Sequence, residues 1–222
     1  MGALGEQLQG VIFDCDGVLV DSERITNRIW AGLLTGIGLP TTTEQSLATY
    51  MGNSMARCLE IVAERLGAAP PDTLLPDFHR LTAVALAEEV TAVPGIVALL
   101  DALDAAGLPY AVASNGEQAK MSTTLGATGL APRFEGRRFS SLEVGRPKPA
   151  PDVFLHAARA LHLDPAYTVV LEDSVLGVRA AAAAGMRVIG YAELASPEAL
   201  RAAGAHAIVH HVDEVAHLLG LG

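Results

Sequence analysis

The stretch VIFDCDGVLVDSE, Val11 to Glu23, decides how the rest of the chain is read. Its first residues form a short apolar run rich in β-branched and aromatic side chains, the pattern of a strand buried on both faces. The run ends in Asp14 and Asp16, two positions apart, and Asp21 follows soon after. Carboxylates repel one another, so crowding them at the end of a buried strand needs a chemical reason.

Working outward, Gln9–Phe13 reads as that first strand, and from Ser22 to about Val90 the periodicity is helical. Ile25, Ile29, Trp30, Leu33 and Leu34 share one helical face, which the Gly36–Pro40 stretch interrupts. Met55, Leu59, Val62 and Leu66 form a second stripe, ended by Gly67 and the Pro70–Pro71 pair, and a further helix spans Leu74–Glu89. Past Val93 strands and helices alternate. Pro94 and Gly95 open a helix that stops at Gly107. Strands are expected at Tyr110–Ala113, Arg138–Ser140, Thr168–Leu171, Arg187–Ile189 and Ala207–Val209, with helices at Glu117–Leu125, Asp152–Leu161 and Ser174–Ala184. Such alternation implies right-handed crossovers and a parallel sheet covered on both faces. The fold class is therefore α/β: a Rossmann-like parallel sheet core with helices on both faces, residues 1–21 and 92–222, plus an inserted α-helical cap, residues 22–91.

Composition narrows the function. The 222 residues are 50% hydrophobic but only 5% aromatic, so the core is built largely from small aliphatic side chains. A net charge of −10 without a basic stripe argues against nucleic acid as a partner. The N-terminus MGALGEQLQG has neither a basic n-region nor a long apolar segment, and no eighteen-residue apolar run occurs, so a cytoplasmic protein without membrane association is expected. Cys15 and Cys58 fit no disulfide framework and read as free thiols. His206, His210, His211 and His217 cluster near the C-terminus at spacings that match no metal site, and surface positions are expected for them.

In an open parallel sheet, ligands bind beyond the carboxyl ends of the strands. The polar residues there are Asp14 and Asp16 after the first strand, Ser114 and Asn115 after the second, Lys148 in GRPKPAPD, and Glu172, Asp173 and Ser174 after the Thr168–Leu171 strand. Four carboxylates against one ammonium is an unstable balance, since each close like-charge pair costs roughly 4 kcal/mol at an effective dielectric of 20. Raised pKa values or a bound cation must relieve it. All-oxygen ligands with few dedicated carboxylates favour Mg²⁺ over zinc. A cation, a lysine and a carboxylate suit phosphoryl transfer through a covalent aspartyl phosphate, with the second aspartate moving protons. Taken singly, each motif also has an ordinary explanation: Ser114–Asn115 and Glu172–Asp173–Ser174 could merely open helices, and Lys148 could be a surface lysine.

Taken in order, DCDGVLVDS, the Ser-Asn pair, GRPKPAPDVF and VVLEDSVLGVRAAAAAGM resemble the four motifs of the haloacid dehalogenase superfamily, in its phosphoglycolate phosphatase and beta-phosphoglucomutase-like branch. The resemblance implies that Asp14 is the nucleophile and a Mg²⁺ ligand. It implies that Asp16 is the general acid/base with its carbonyl on the metal, that Ser114 and Lys148 hold the phosphoryl oxygens beside Asn115, and that Asp173 completes the metal site. Glu172 acts on the metal directly or through a water, and closure of the cap excludes solvent. The cap departs from the mutase pattern. Thr26 stands where a mutase of this branch carries histidine, and Met55 follows Gly52, Asn53 and Ser54 where it carries arginine. Arg24 and Arg57 could contact a second anionic group or form a solvated helix face. The expected activity is a phosphatase acting on a small phosphorylated sugar or sugar acid. A phosphoglucomutase-like transferase and a non-catalytic phospho-ligand binder are the alternatives. The oligomeric state is left open, a monomer being compatible with this reading.

Overall fold

The computed structural model describes residues 7–51, 53 and 55–221. The leader reading of the first six residues, and positions 52 and 54 of the missing arginine motif, lie outside them. The chain divides into two compact units, one running to Val20 and resuming at Ala92, the other spanning Asp21–Thr91.

The first unit is built on a six-stranded sheet of β1 (Gly10–Phe13), β2 (Tyr110–Ser114), β3 (Arg138–Ser140), β4 (Thr168–Glu172), β5 (Arg187–Tyr191) and β6 (Ala207–Val209). All neighbours are parallel, in the order β3-β2-β1-β4-β5-β6. β1, β2 and β4 are buried along their whole length, which explains their near-continuous apolar sequences. The order reverses at β1. The loops leaving β1, β2 and β4 diverge there and open a crevice at the carboxyl edge.

The second unit holds α1 (Glu23–Gly36), α2 (Thr43–Tyr50), α3 (Met55–Leu66) and α4 (Leu74–Glu89). Its core is Trp30, Leu34, Tyr50, Cys58, Val62 and Leu74, with Trp30 edge-to-face against Tyr50 and Phe78. The sequence reading left α2 unassigned. Its interior, TEQSLATY, lacks an apolar stripe, and the helix is announced instead by a capping box between Thr42 and Gln45.

Around the sheet lie α5 (Ile96–Ala105), α6 (Gln118–Ala127), α7 (Ser141–Val144), α8 (Asp152–Ala160), α9 (Val175–Ala183), α10 (Pro197–Ala203) and α11 (Asp213–Leu219). α7, α10 and α11 were also unassigned; each is short, and α10 starts on a Ser196 cap followed by proline. The alanines of α9 pack flat, Ala180 and Ala181 being fully buried in the cluster with Ile12, Val170 and Val188. The four C-terminal histidines are exposed. No helix among the described residues is long and apolar enough to cross a membrane.

Candidate active site

β1 stops at Phe13, and the backbone then turns sharply. The N–H groups of Leu19 and Val20 both donate to Cys15 O, and Gly17 N–H donates to Val20 O. Val18, Leu19 and Val20 are fully buried by this turn, so the apolar half of the opening motif is packing and its acidic half faces the crevice. The strand ends before Cys15, which is buried in the turn, and burial beside Asp16 and Asp14 raises its thiol well above the ordinary range. A thiol so held is not a nucleophile at neutral pH.

Asp14 is fastened at the crevice floor by its backbone N–H, which donates to Leu171 O at 3.0 Å. Lys148 Nζ lies 2.5 Å from Asp14 Oδ1 and 2.7 Å from Glu172 Oε1. The ammonium is nearly enclosed, 6% exposed, and sits 4.7 Å from the Phe154 ring centroid. The loop carrying it is tied to β2 by the Lys148 N–H, which donates to Asn115 Oδ1 at 2.9 Å. Asn115 thus stands beside the phosphate motif as a brace for the lysine loop. Ser114 ends β2 with its Oγ accepting from Gly116 N–H at 2.9 Å.

Two glycines make room for the acids. A Cβ on Gly17, whose φ is +80°, would fall 2.1 Å from Asp173 Oδ2. The Asp173 carboxylate therefore lies directly on the turn that bears Asp14 and Asp16. A Cβ on Gly177 would overlap the Glu172 carboxylate, so that side chain folds back against the first turn of α9. There Glu172 Oε2 accepts from Ser174 N–H at 2.8 Å and Ser174 Oγ at 3.0 Å. Glu172 is 1% exposed, with one oxygen on Lys148 and the other on the helix start. In that geometry Glu172 contacts both the lysine and the start of α9.

Lys120, which the sequence reading passed over, joins the site. From the first turn of α6 its Nζ reaches Asp16 Oδ1 at 2.8 Å. A lysine near a helix N-terminus opposes the helix dipole, and that misplacement was the available signal that a carboxylate waits for it.

The electrostatics follow from burial. Desolvation pushes the Asp14 carboxyl up to about 7; Lys148 pulls it down, while Glu172 and Asp16 push it further up. For Lys148, burial works against the ammonium, but Asp14 and Glu172 outweigh it and hold the group above its ordinary value. The floor thus keeps a permanent cation beside a carboxylate that is costly to ionise.

Among the described residues, no three acidic, histidine or cysteine side chains form a closed metal cage. The donor set nevertheless fits a magnesium ion. The donor atoms gathered here are carboxylate oxygens, and such an ion takes one or two carboxylates and completes its shell with water and phosphate. The raised Asp14 pKa is the electrostatic demand that a cation would meet.

The model of haloacid dehalogenase-like hydrolases matches residues 8–185. The chain belongs to that family. Its sequence is 31% identical to the 6-phosphogluconate phosphatase of Escherichia coli K12 over 82% of this chain and 81% of the relative. It is 35% identical to hexitol phosphatase A of the same organism, over 82% of each chain. Among solved structures, a haloacid dehalogenase family hydrolase from Deinococcus radiodurans R1 with bound phosphate and sodium superposes with a TM-score of 0.84. It shares 32% identity, and 97% of each chain is covered. The six-stranded haloacid dehalogenase fold expected from the motifs is the fold observed.

Proposed function

We propose that this hydrolase is a Mg²⁺-dependent phosphatase of small phosphorylated metabolites, working through an aspartyl phosphate on Asp14. The observation that carries the reading is the convergence on Asp14: Lys148 on its carboxylate, and Asp173 packed on the turn that follows it. The phosphatases among its relatives support the same reaction class.

In the first half-reaction an Asp14 oxygen attacks phosphorus, and the bond from phosphorus to the ester oxygen breaks. Asp16 gives a proton to the departing alkoxide. In the second, Asp16 takes a proton from water as the water attacks phosphorus, and inorganic phosphate leaves with Asp14 restored. Lys148 and the Ser114 hydroxyl hold the phosphoryl oxygens, and Glu172 and Asn115 keep Lys148 in place. Asp14, Asp16 and Asp173 would hold the Mg²⁺ ion, which when bound supplies positive charge against those oxygens. Thr26 argues against the transferase alternative. Its hydroxyl donates to Ser22 O at 3.1 Å and Glu23 O at 3.0 Å, so it is turned onto its own helix and offers no acid or base.

The test is Asp14→Asn with an aryl phosphate as generic substrate. Hydrolysis disappears while the circular dichroism spectrum is kept; turnover near the parent rate in the variant removes the covalent mechanism. Exhaustive chelation with EDTA likewise stops the parent enzyme, and Mg²⁺ restores it.

A further inference from the structure

α4 carries more apolar surface than its own unit uses. Leu74 and Leu86 are buried, whereas Val84, two positions before Leu86 and so on the far side of the helix, is 53% exposed. Leu81 is 36% exposed. The other exposed large apolar side chains among the described residues, Val97 and Leu142, lie on two different helices of the first unit. With Ile29 and Leu33 of α1, Leu81 and Val84 line a groove of about 610 Å³ on the helical unit. Gly32, exposed in the middle of α1, lines it too. A Cβ at Gly32 would meet nothing within 4 Å. Alanine at an exposed site inside a helix is worth about 1 kcal/mol over glycine. The packing of this chain therefore does not call for the glycine, which leaves room for a surface approaching from outside.

The charges of this face say what approaches. Arg80 and Glu88 flank Val84 four positions away on either side, and both are exposed. Residues four apart form one ridge on a helix, so this ridge reads positive, apolar, negative. Ridges of that kind from two helices lie side by side when the helices cross at about −50°. Turned about a two-fold axis at Val84, the ridge meets its own reverse. Arg80 then stands beside Glu88 of the partner subunit at two equivalent contacts, and the two Val84 side chains meet between them. The remaining charges of the lining, Arg28 and Glu89, are already matched to each other at 2.7 Å. Arg80 also touches Asp77 at 2.8 Å, with the side chains 64% and 40% exposed. Such a pair holds an arginine weakly, and its guanidinium keeps further N–H groups to donate.

We propose that the α1–α4 face is an isologous interface on which a second copy of this chain docks, with Val84 on the two-fold axis. A self-complementary patch is what a two-fold dimer requires, because each copy must match itself. α4 has 16 residues, a length of about 24 Å, and two adjacent helices are roughly 20 Å across, so each copy offers about 500 Å². A total of about 1,000 Å² is the lower end for a specific interface, so the affinity belongs in the micromolar range.

The experiment is sedimentation equilibrium of the full chain and two charge variants. The parent should dimerise with a Kd of about 1–50 µM. Arg80→Glu and Glu88→Arg each set like charges together at both equivalent contacts, and each should weaken self-association by at least about tenfold. Mixed in equal amounts, the two variants should pair with each other, since both contacts of the mixed dimer again join opposite charges. Native mass spectrometry reads that one-to-one species, and its recovery shows at the same time that both variants are folded. Val84→Asp, which opposes two carboxylates on the axis, should be monomeric alone. A parent that stays monomeric up to about 200 µM overturns the proposal and leaves the groove to a different protein. A dimer that none of the three substitutions weakens overturns it as well, because the contact then lies elsewhere. So does a failure of the two charge variants to pair when circular dichroism shows both folded.

Discussion

Two lysines meet the acidic crevice in different solvents, and the contrast separates structure from turnover. Lys148 is enclosed between Asp14 and Glu172, with side-chain exposures of 4%, 11% and 1%. Lys120 meets Asp16 at the rim, with exposures of 36% and 18%. At the floor, water cannot replace a lost partner, so removing the one cation strands both carboxylates. At the rim, solvent screens the pair and the contact contributes little to stability. In the proposed mechanism the floor holds groups that stay in place, and the rim holds Asp16, which releases and takes protons.

The largest effect is expected from Lys148→Met. It leaves Asp14 and Glu172 buried without their cation, so stability should fall by about 3–5 kcal/mol and kcat by roughly a hundredfold or more. Urea unfolding together with aryl phosphate kinetics checks both. A variant as stable as the parent would erase the distinction between floor and rim.

A second prediction concerns pH. The folded-state pKa of Asp14 is raised from 3.8 to about 7, so its contribution to stability is complete below pH about 4 and is lost as pH rises through about 7. Charging the folded protein there costs on the order of 4 kcal/mol at most. Without divalent ions, Asp14→Asn should therefore melt higher than the parent at pH 8, and the gap should close toward pH 4. A gap that widens on acidification reverses the sign and the account of burial. Mg²⁺ should raise the parent's melting temperature at pH 8 and leave that of Asp14→Asn much less changed.

The smallest effect is expected from Lys120→Met. Stability should change by less than about 1 kcal/mol, because the pair is part-exposed. kcat should fall more than KM changes, since Asp16 loses the group that orients it. Equal losses of stability in the Lys120 and Lys148 variants would show that both pairs are structural.

Much of this was legible before any coordinates. β1 and β4 announced themselves because a strand buried on both faces needs an unbroken apolar run, and Val11–Phe13 and Val169–Leu171 are such runs. Strand ends were less legible: β2 and β4 continue through Ser114 and Glu172, so these site residues are the last rungs of the ladder and not loop residues. The helix at Thr43–Tyr50 escaped because its signal is a cap and not a period. Lys120 escaped because an ion pair across 104 positions leaves no mark in local spacing, apart from a lysine on the wrong end of a helix.

The residue types and their order along the chain determined the sheet, the helical insertion and the set of oxygen and ammonium groups at one edge, because periodicity and strand ends are local properties. Only the tertiary structure decided which carboxylates Lys148 touches, and that Lys120 reaches Asp16 from α6. Those depend on distances between segments far apart in sequence, and charge, desolvation and missing Cβ atoms act on distance.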